Sequence, residues 1–156
     1  MPKNNITPLQ STPENTIKHL EFIQNIITRM NKNSFQLKGW NITILSAFLA
    51  LYASSHNTIY ILVALLPIII FWSLDSYYLQ QERKFRGLYN DIVNNTSDIK
   101  LFEMPVNKYT NGKYSFFSCL TSKTILTFYG SIFILLIVIN ILLNYKNICL
   151  TTISLL

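Results

Sequence analysis

Residues 58–74 read TIYILVALLPIIIFWSL, a run of seventeen residues without a single charged side chain. As an α-helix, this run is about 26 Å long, close to the roughly 30 Å hydrocarbon core of a bilayer. Pro67 lies near its middle and lacks the N–H that a helix needs, so we expect a kink there. The stretch therefore predicts a transmembrane helix.

Two further segments have the same character. The run from Gly39 to Ala53 precedes the first stretch by a short turn at residues 54–57, so the two segments, 39–74 together, predict an antiparallel hairpin. Residues 124–145 include IFILLIVINILL and predict a third span. The fold class expected from these patterns is all-α, an integral membrane protein with three transmembrane helices.

Polar helices are expected on either side of the hairpin. Residues 1–38 combine a polar leader with an amphipathic helix, which begins near Ser11, Pro13 and Glu14 and carries an apolar stripe. Residues 75–93 continue the second span as a cytosolic extension with its own apolar stripe. That stripe needs a partner, and the amphipathic helix is the nearest candidate.

The remaining segments show weaker patterns. Residues 94–123 predict a cytosolic linker without readable secondary structure, whose aromatic side chains are suited to a membrane interface. Residues 146–156 form an apolar tail that is too short to cross a bilayer and is expected outside.

The distribution of cations predicts the orientation. Nine basic residues lie near the proposed inner ends of the spans, against Lys146 alone near an outer end. By the positive-inside rule, the N-terminus is cytoplasmic and the C-terminus lies outside the bacterial inner membrane. The nine are Arg29, Lys32, Lys38, Arg83, Lys84, Arg86, Lys108, Lys113 and Lys123.

Composition argues against several other classes. The net charge is +6, but the basic residues flank apolar stretches and form no dense patch. Membrane topology therefore explains the charge better than nucleic-acid binding does. Cys119 and Cys149 are expected on opposite sides of the membrane, and no cysteine–histidine cluster suggests zinc. The two histidines, His19 and His56, are also expected on opposite sides. We therefore predict no catalytic residue, metal or cofactor.

Four charged residues near the inner boundary are candidates for gating or for docking a partner. Asp75 is suited either to gating a pore or to pairing with Lys38, although a solvated carboxylate at a helix boundary is the favoured interpretation. Glu82, Arg83 and Arg86 are suited to binding a protein or an anionic lipid, and equally to setting topology alone. Glu82 and Arg86 have the spacing of a surface ion pair.

Seven residues are candidates for helix packing. Ser46, Ala50 and Ser54 repeat every four residues and give the first span a face of small side chains, which in lipid lets another helix approach. Pro67 shapes the second span. In the third span, Thr127 and Ser131 form a mildly polar stripe, and Asn140 is expected to make a structural hydrogen bond.

Four stretches carry a resemblance to a family. They are NSFQLKGW at 33–40, FWSLDSYYLQQERKFRGLY at 71–89, HLEFIQNIITRM at 19–30 and SKTILTFYG at 122–130. With them the chain resembles a family of small bacterial multi-pass membrane proteins, some of which accompany antiphage systems as membrane effectors. The resemblance implies depolarisation or leakage after a trigger.

Two functional hypotheses follow. The first is a non-enzymatic membrane effector that assembles into a homo-oligomer and breaches the bilayer, because three spans without intramembrane charge cannot alone enclose a wide aqueous path. The alternative is a membrane anchor or accessory subunit that recruits a cytosolic protein through the Glu82–Arg86 region. A small-molecule transporter comes third, since no polar substrate site is visible.

Overall fold

The computed structural model describes residues 12–95 and 99–153, with side chains described as far as residue 142. Within these ranges the regular structure is entirely helical. The leader at 1–11, with Ser11 of the expected cap, and residues 154–156 of the expected tail lie outside the described residues.

The first helix, α1, is a single rod from Pro13 to Ser55. It begins where the Thr12 side chain accepts a hydrogen bond from the backbone N–H of Asn15 at 3.3 Å, with Pro13 in the first turn. It ends at His56, which has left-handed backbone torsion angles (φ 52°). The sequence predicted an amphipathic helix and a separate span, but no proline interrupts residues 14–55, so both are one helix about 65 Å long.

The second arm of the helical hairpin is interrupted once. Helix α2 covers Ile59–Val63 and helix α3 covers Leu65–Val93, with Ala64 between them. Pro67 lies four residues after Val63, whose carbonyl would otherwise accept the missing N–H and would clash with the proline ring. The break therefore lies one turn before the proline that causes it.

The predicted linker is more ordered than its sequence indicates. Two short 3-10 turns, Val106–Lys108 and Gly112–Tyr114, lead into helix α4 at Phe116–Leu120. Helix α5 then runs from Lys123 to Ile153, so the helix continues through most of the segment predicted as a separate tail. The linker packs against α3 through buried Tyr109 and partly buried Tyr114, whereas the sequence suggested that both lie at a membrane interface.

The helices form two layers with separate cores. The apolar layer, residues 39–74 and 123–142, has a core of Leu45, Ile61, Ala64, Ile68, Ile125, Tyr129 and Leu136. The polar layer, residues 13–33, 76–95 and 99–120, has a core of Ile23, Ile27, Leu88 and Tyr109. The prediction that the amphipathic helix covers the apolar stripe of the extension is confirmed, because Ile23 and Ile27 pack in one cluster with Leu88, Phe85 and Ile92.

Two helical segments of the described chain are long and apolar enough to cross a membrane, Ile59–Val93 and Lys123–Leu142. The segment from Gly39 to Ala53 is less apolar and is not one of them. All three segments turn large apolar side chains outward, among them Trp40, Ile44, Leu51, Leu66, Ile70 and Leu135. This outward apolar surface weakly supports a membrane protein.

Gly87 allows the linker to approach α3. A Cβ atom added to Gly87 would lie 2.7 Å from the Tyr114 hydroxyl oxygen and 3.0 Å from Cε1 of Tyr109. Gly39, which is also within a helix, has no neighbouring atom within 4 Å of such a Cβ. The two glycines therefore separate the effect of packing from that of helix propensity.

We predict that Gly87→Ala lowers the free energy of unfolding by about 1–3 kcal/mol, because both tyrosine rings must shift to admit the methyl group. The matched control Gly39→Ala should be neutral or stabilising by up to about 1 kcal/mol, since alanine favours helix. Unfolding in detergent micelles, followed by circular dichroism, measures both. Equal effects of the two substitutions would contradict the packing at Gly87.

Candidate functional site

A buried ion pair joins α1 and α3 where the two layers meet. Lys38 Nζ lies 2.5 Å from Asp75 Oδ2, and the Asp75 side chain is fully buried while that of Lys38 is 20% exposed. The Ser34 hydroxyl donates to Asp75 Oδ1 and accepts from Lys38 Nζ at 2.8 Å. Because Ser34 and Lys38 are one helical turn apart, both reach the same carboxylate.

Aromatic side chains enclose the pair. The Trp72 and Tyr129 rings stack with centroids 6.1 Å apart, and Trp72 Nε1 donates to the Leu120 carbonyl at 3.1 Å. Lys38 Nζ lies 5.9 Å from the centre of the Phe128 ring. Helix α5 therefore covers the side of the α1–α3 pair that would otherwise admit water, which strengthens the electrostatic attraction.

Two polar side chains in this region lack hydrogen-bond partners among the described atoms. Asn41, one turn along α1 from Lys38, is fully buried, and both polar atoms of its amide are unsatisfied. The Tyr129 hydroxyl is buried near Asp75 but makes no hydrogen bond of acceptable geometry. Buried amides and hydroxyls are costly in an apolar surrounding, so Asn41 and Tyr129 extend the polar region around the ion pair into the apolar layer.

The favoured interpretation of Asp75 as a solvated carboxylate was wrong, and its weaker alternative, pairing with Lys38, is what the structure shows. A buried carboxylate needs a partner because the loss of hydration is costly. Lys38 neutralises the carboxylate and contacts its Oδ2 atom, and the Ser34 hydroxyl donates to the other oxygen, Oδ1.

The other charged candidates serve mainly to hold the polar layer together. Arg83 donates to the carbonyl of Lys113 at 2.9 Å and to that of Ser118 at 3.4 Å, so it fixes the linker against α3. The predicted pair between Glu82 and Arg86 forms at 2.7 Å, but Glu82 is buried and is no surface residue. Only the Arg86 side chain remains largely exposed among these three.

The predicted packing residues divide into two groups. Ser46, Ala50 and Ser54 are exposed, and so are Thr127 and Ser131 in α5. Asn140 is partly buried and lines an apolar cavity of about 120 Å³ together with Ile61 and Leu136. The small face of α1 points away from the face that carries Asn41 and Leu45, so no other described helix covers it.

The nucleophiles and bases of the chain do not come together. His19 is buried in the polar layer, where its Nδ1 accepts from the Phe102 N–H at 3.4 Å, and burial lowers its pKa. His56 lies at the far end of the same helix. Cys119 is buried and reduced, and burial raises the pKa of its thiol, although nearby Arg83 acts in the opposite direction. The Cys149 side chain lies outside the described atoms.

Sequence reasoning missed three members of the site. Ser34, Asn41 and Tyr129 were not singled out, although Ser34 and Asn41 lie at helical spacing on either side of Lys38. That spacing was the signal for the α1 side of the site. Nothing in the sequence placed Tyr129 beside Asp75, because the contact joins helices that are far apart in the chain.

No protein-family model, curated protein or solved structure matches this chain. Fold and site together define an all-helical protein with two membrane-capable helices and a buried ion pair at the junction of its layers.

We predict that removing either partner of the buried pair, as in Asp75→Leu or Lys38→Met, destabilises the protein by about 3–5 kcal/mol, because the remaining charge is left unpaired. The double variant should recover most of that loss. Unfolding of all three variants in the same detergent gives the coupling energy between the two sites.

The exposed pair of Lys18 and Glu14, 2.7 Å apart on α1, is the matched control. Glu14→Gln should change stability by at most about 0.5 kcal/mol. Strictly additive effects of the two substitutions at the buried pair would contradict the proposed coupling.

Proposed function

We propose that this protein is a non-enzymatic effector of the bacterial inner membrane, which assembles through its exposed small-residue face and then depolarises or permeabilises the bilayer. The observation that carries the proposal is the distribution of side chains in the apolar layer. The Asn41 amide lies inside this layer and the Lys38–Asp75 pair is buried at its inner end, whereas large apolar and small side chains lie outside. Such a surface needs lipid, and a face of small residues suits close approach of a second helix.

The proposal includes a third crossing by the end of α1. Helices α1 and α2 are joined by a three-residue turn at 56–58, and Leu45 shares a core with Ile61 and Ile68. If Ile59–Leu74 crosses the bilayer, the neighbouring part of α1 must lie at the same depth. The low hydropathy of this segment reflects its small and hydroxyl-bearing residues, whose hydroxyls bond to their own helix, as Ser46 does to the Ile42 carbonyl.

The orientation rests on cations and on the site. Asp75 and Lys38 lie about 25 Å along their helices from the outer turn, which places them near the inner edge of the hydrocarbon core. The polar layer and its basic residues then lie in the cytosol, as the positive-inside rule requires.

The mechanism we propose uses the ion pair as a gate. In the closed state Lys38 neutralises Asp75, and Trp72 and Tyr129 shield the carboxylate from water. A trigger that separates α1 from α3 in the polar layer would pull the pair apart and admit water to Asp75, Lys38 and Asn41. Several copies, packed through α1, would then surround a polar path that one chain cannot enclose.

We predict that a periplasmic reporter enzyme fused after Leu156 is active, because three crossings from a cytoplasmic N-terminus place the C-terminus outside. Fusion of the same reporter after Asn95, at the end of α3, serves as the control and should be inactive. Activity only for the Asn95 fusion would overturn the proposed orientation.

We predict that induced expression lowers the membrane potential reported by a voltage-sensitive dye, and that Ser46→Leu abolishes both this effect and crosslinked oligomers. The added side chain would block close approach of a second α1. Ser73→Leu is the matched control, because Ser73 is also exposed and its hydroxyl also bonds to the carbonyl four residues earlier. It should retain both activities.

An unchanged potential and normal growth with the wild-type chain would contradict the effector. An equal loss in both leucine variants would contradict assembly through the small face of α1.

One observation favours the alternative, a membrane anchor that recruits a cytosolic protein. The polar layer is folded and has a groove between α1 and α3 lined by Ile26, Arg29, Met30, Tyr77, Tyr78 and Phe85. Purification from mild detergent separates the two functions, since a stoichiometric foreign protein favours the anchor and a homo-oligomer alone favours the effector.

A further inference from the structure

Three cations converge on one cleft between α3 and the linker. Arg83, Arg86 and Lys113 line a cleft of about 490 Å³, together with Gly87, Asn90 and Ser118. Two of the three cations, Arg83 and Arg86, come from α3 at an interval of three, which places them on one face. Lys113 and Ser118 come from the linker, so the cleft exists only because the linker folds back onto α3.

The positive charge of this cleft is only partly neutralised. Glu82 accepts from Arg86 at its Nε atom, 2.7 Å away, and the described ion pairs include no carboxylate for Arg83 or Lys113. The other nearby carboxylate, Asp91, is engaged by Lys108 at 3.1 Å and by the Tyr109 hydroxyl at 2.6 Å. Among the described residues, one carboxylate pairs with the three cations of the cleft, which leaves a net positive charge there.

The cleft lies close to the apolar layer. Ser118 is two residues from Leu120, whose carbonyl accepts a hydrogen bond from Trp72 Nε1. Trp72 belongs to the apolar layer and lies about one helical turn before Asp75. Phe117, which directly precedes Ser118, is 74% exposed. An exposed aromatic ring beside a basic cleft at this depth matches the interfacial region, where rings enter the lipid and cations meet phosphates.

We propose that this cleft binds the phosphate of an anionic phospholipid in the cytoplasmic leaflet. The proposal rests on the bilayer placement given under the proposed function, but not on depolarisation. Arg86 and Lys113 would contact the phosphate oxygens, Ser118 would donate a hydroxyl, and Phe117 would lie against the acyl region. Arg83 holds the linker in place and supplies positive charge. Bound lipid would therefore brace α3 and the linker about three helical turns from the gate.

The test uses the full-length protein in mild detergent and native mass spectrometry, with phosphatidylglycerol and phosphatidylcholine of identical acyl chains. We expect the wild-type chain to retain phosphatidylglycerol several-fold more than phosphatidylcholine. The double variant Arg86→Gln/Lys113→Gln should lose that preference. The double variant Arg86→Lys/Lys113→Arg, which keeps both charges, should retain it.

The matched control is Lys18→Gln/Lys100→Gln, which removes the same charge from exposed side chains in the polar layer, away from the cleft. It should keep the preference for the anionic lipid. Equal loss in this control, or equal retention of both lipids by the wild-type chain, would overturn the site.

A further arm adds inorganic phosphate to the wild-type chain. Displacement of the lipid at low millimolar phosphate would assign the cleft to a soluble phosphate and overturn the lipid proposal, whereas retention supports it. A chain that retains phosphatidylglycerol but leaves the membrane potential unchanged would contradict the proposed effector function alone.

Discussion

The contact between Lys38 and Asp75 sets the register of α1 against α3. A fully buried carboxylate is tolerated only with a charged partner at hydrogen-bonding distance, so α1 and α3 have one permitted alignment at this point. That alignment brings Leu45 and Ile68 into one core on the apolar side, and Ile27 and Leu88 into one core on the other side. The packing of both layers therefore depends on the alignment that this polar contact sets.

The linker completes the polar layer through equally specific contacts. Gly87 leaves room for Tyr109 and Tyr114, and Arg83 donates to the backbone carbonyls of Lys113 and Ser118 on either side of Tyr114. The Tyr109 hydroxyl donates to Asp91 at 2.6 Å, and burial together with this hydrogen bond raises its pKa. A segment that lies outside the regular helices is thereby tied to α3 along several turns, which also creates the basic cleft.

Much of the helical architecture could be predicted from the sequence, because runs without charge and helical spacing are local signals. The hairpin, the break caused by Pro67 and the packing of the amphipathic helix against the extension all followed from such signals. The burial of Asp75 did not follow, since it depends on Tyr129 and Phe128 arriving from a distant helix. The continuity of α1 was missed because a change from polar to apolar composition was taken for a boundary, although the backbone requires none.

The two helical arms of the hairpin, α1 and α2–α3, differ in stiffness. Helix α1 is an unbroken rod across both layers, whereas its neighbour has a joint at Ala64, where the hydrogen-bond ladder is interrupted. A displacement of the polar-layer end of α1 is therefore carried along an uninterrupted helix into the apolar layer. The α2–α3 arm has a bending point at Ala64 and is joined to α1 only by residues 56–58, so α2 has a freedom of tilt that the same length of α1 lacks.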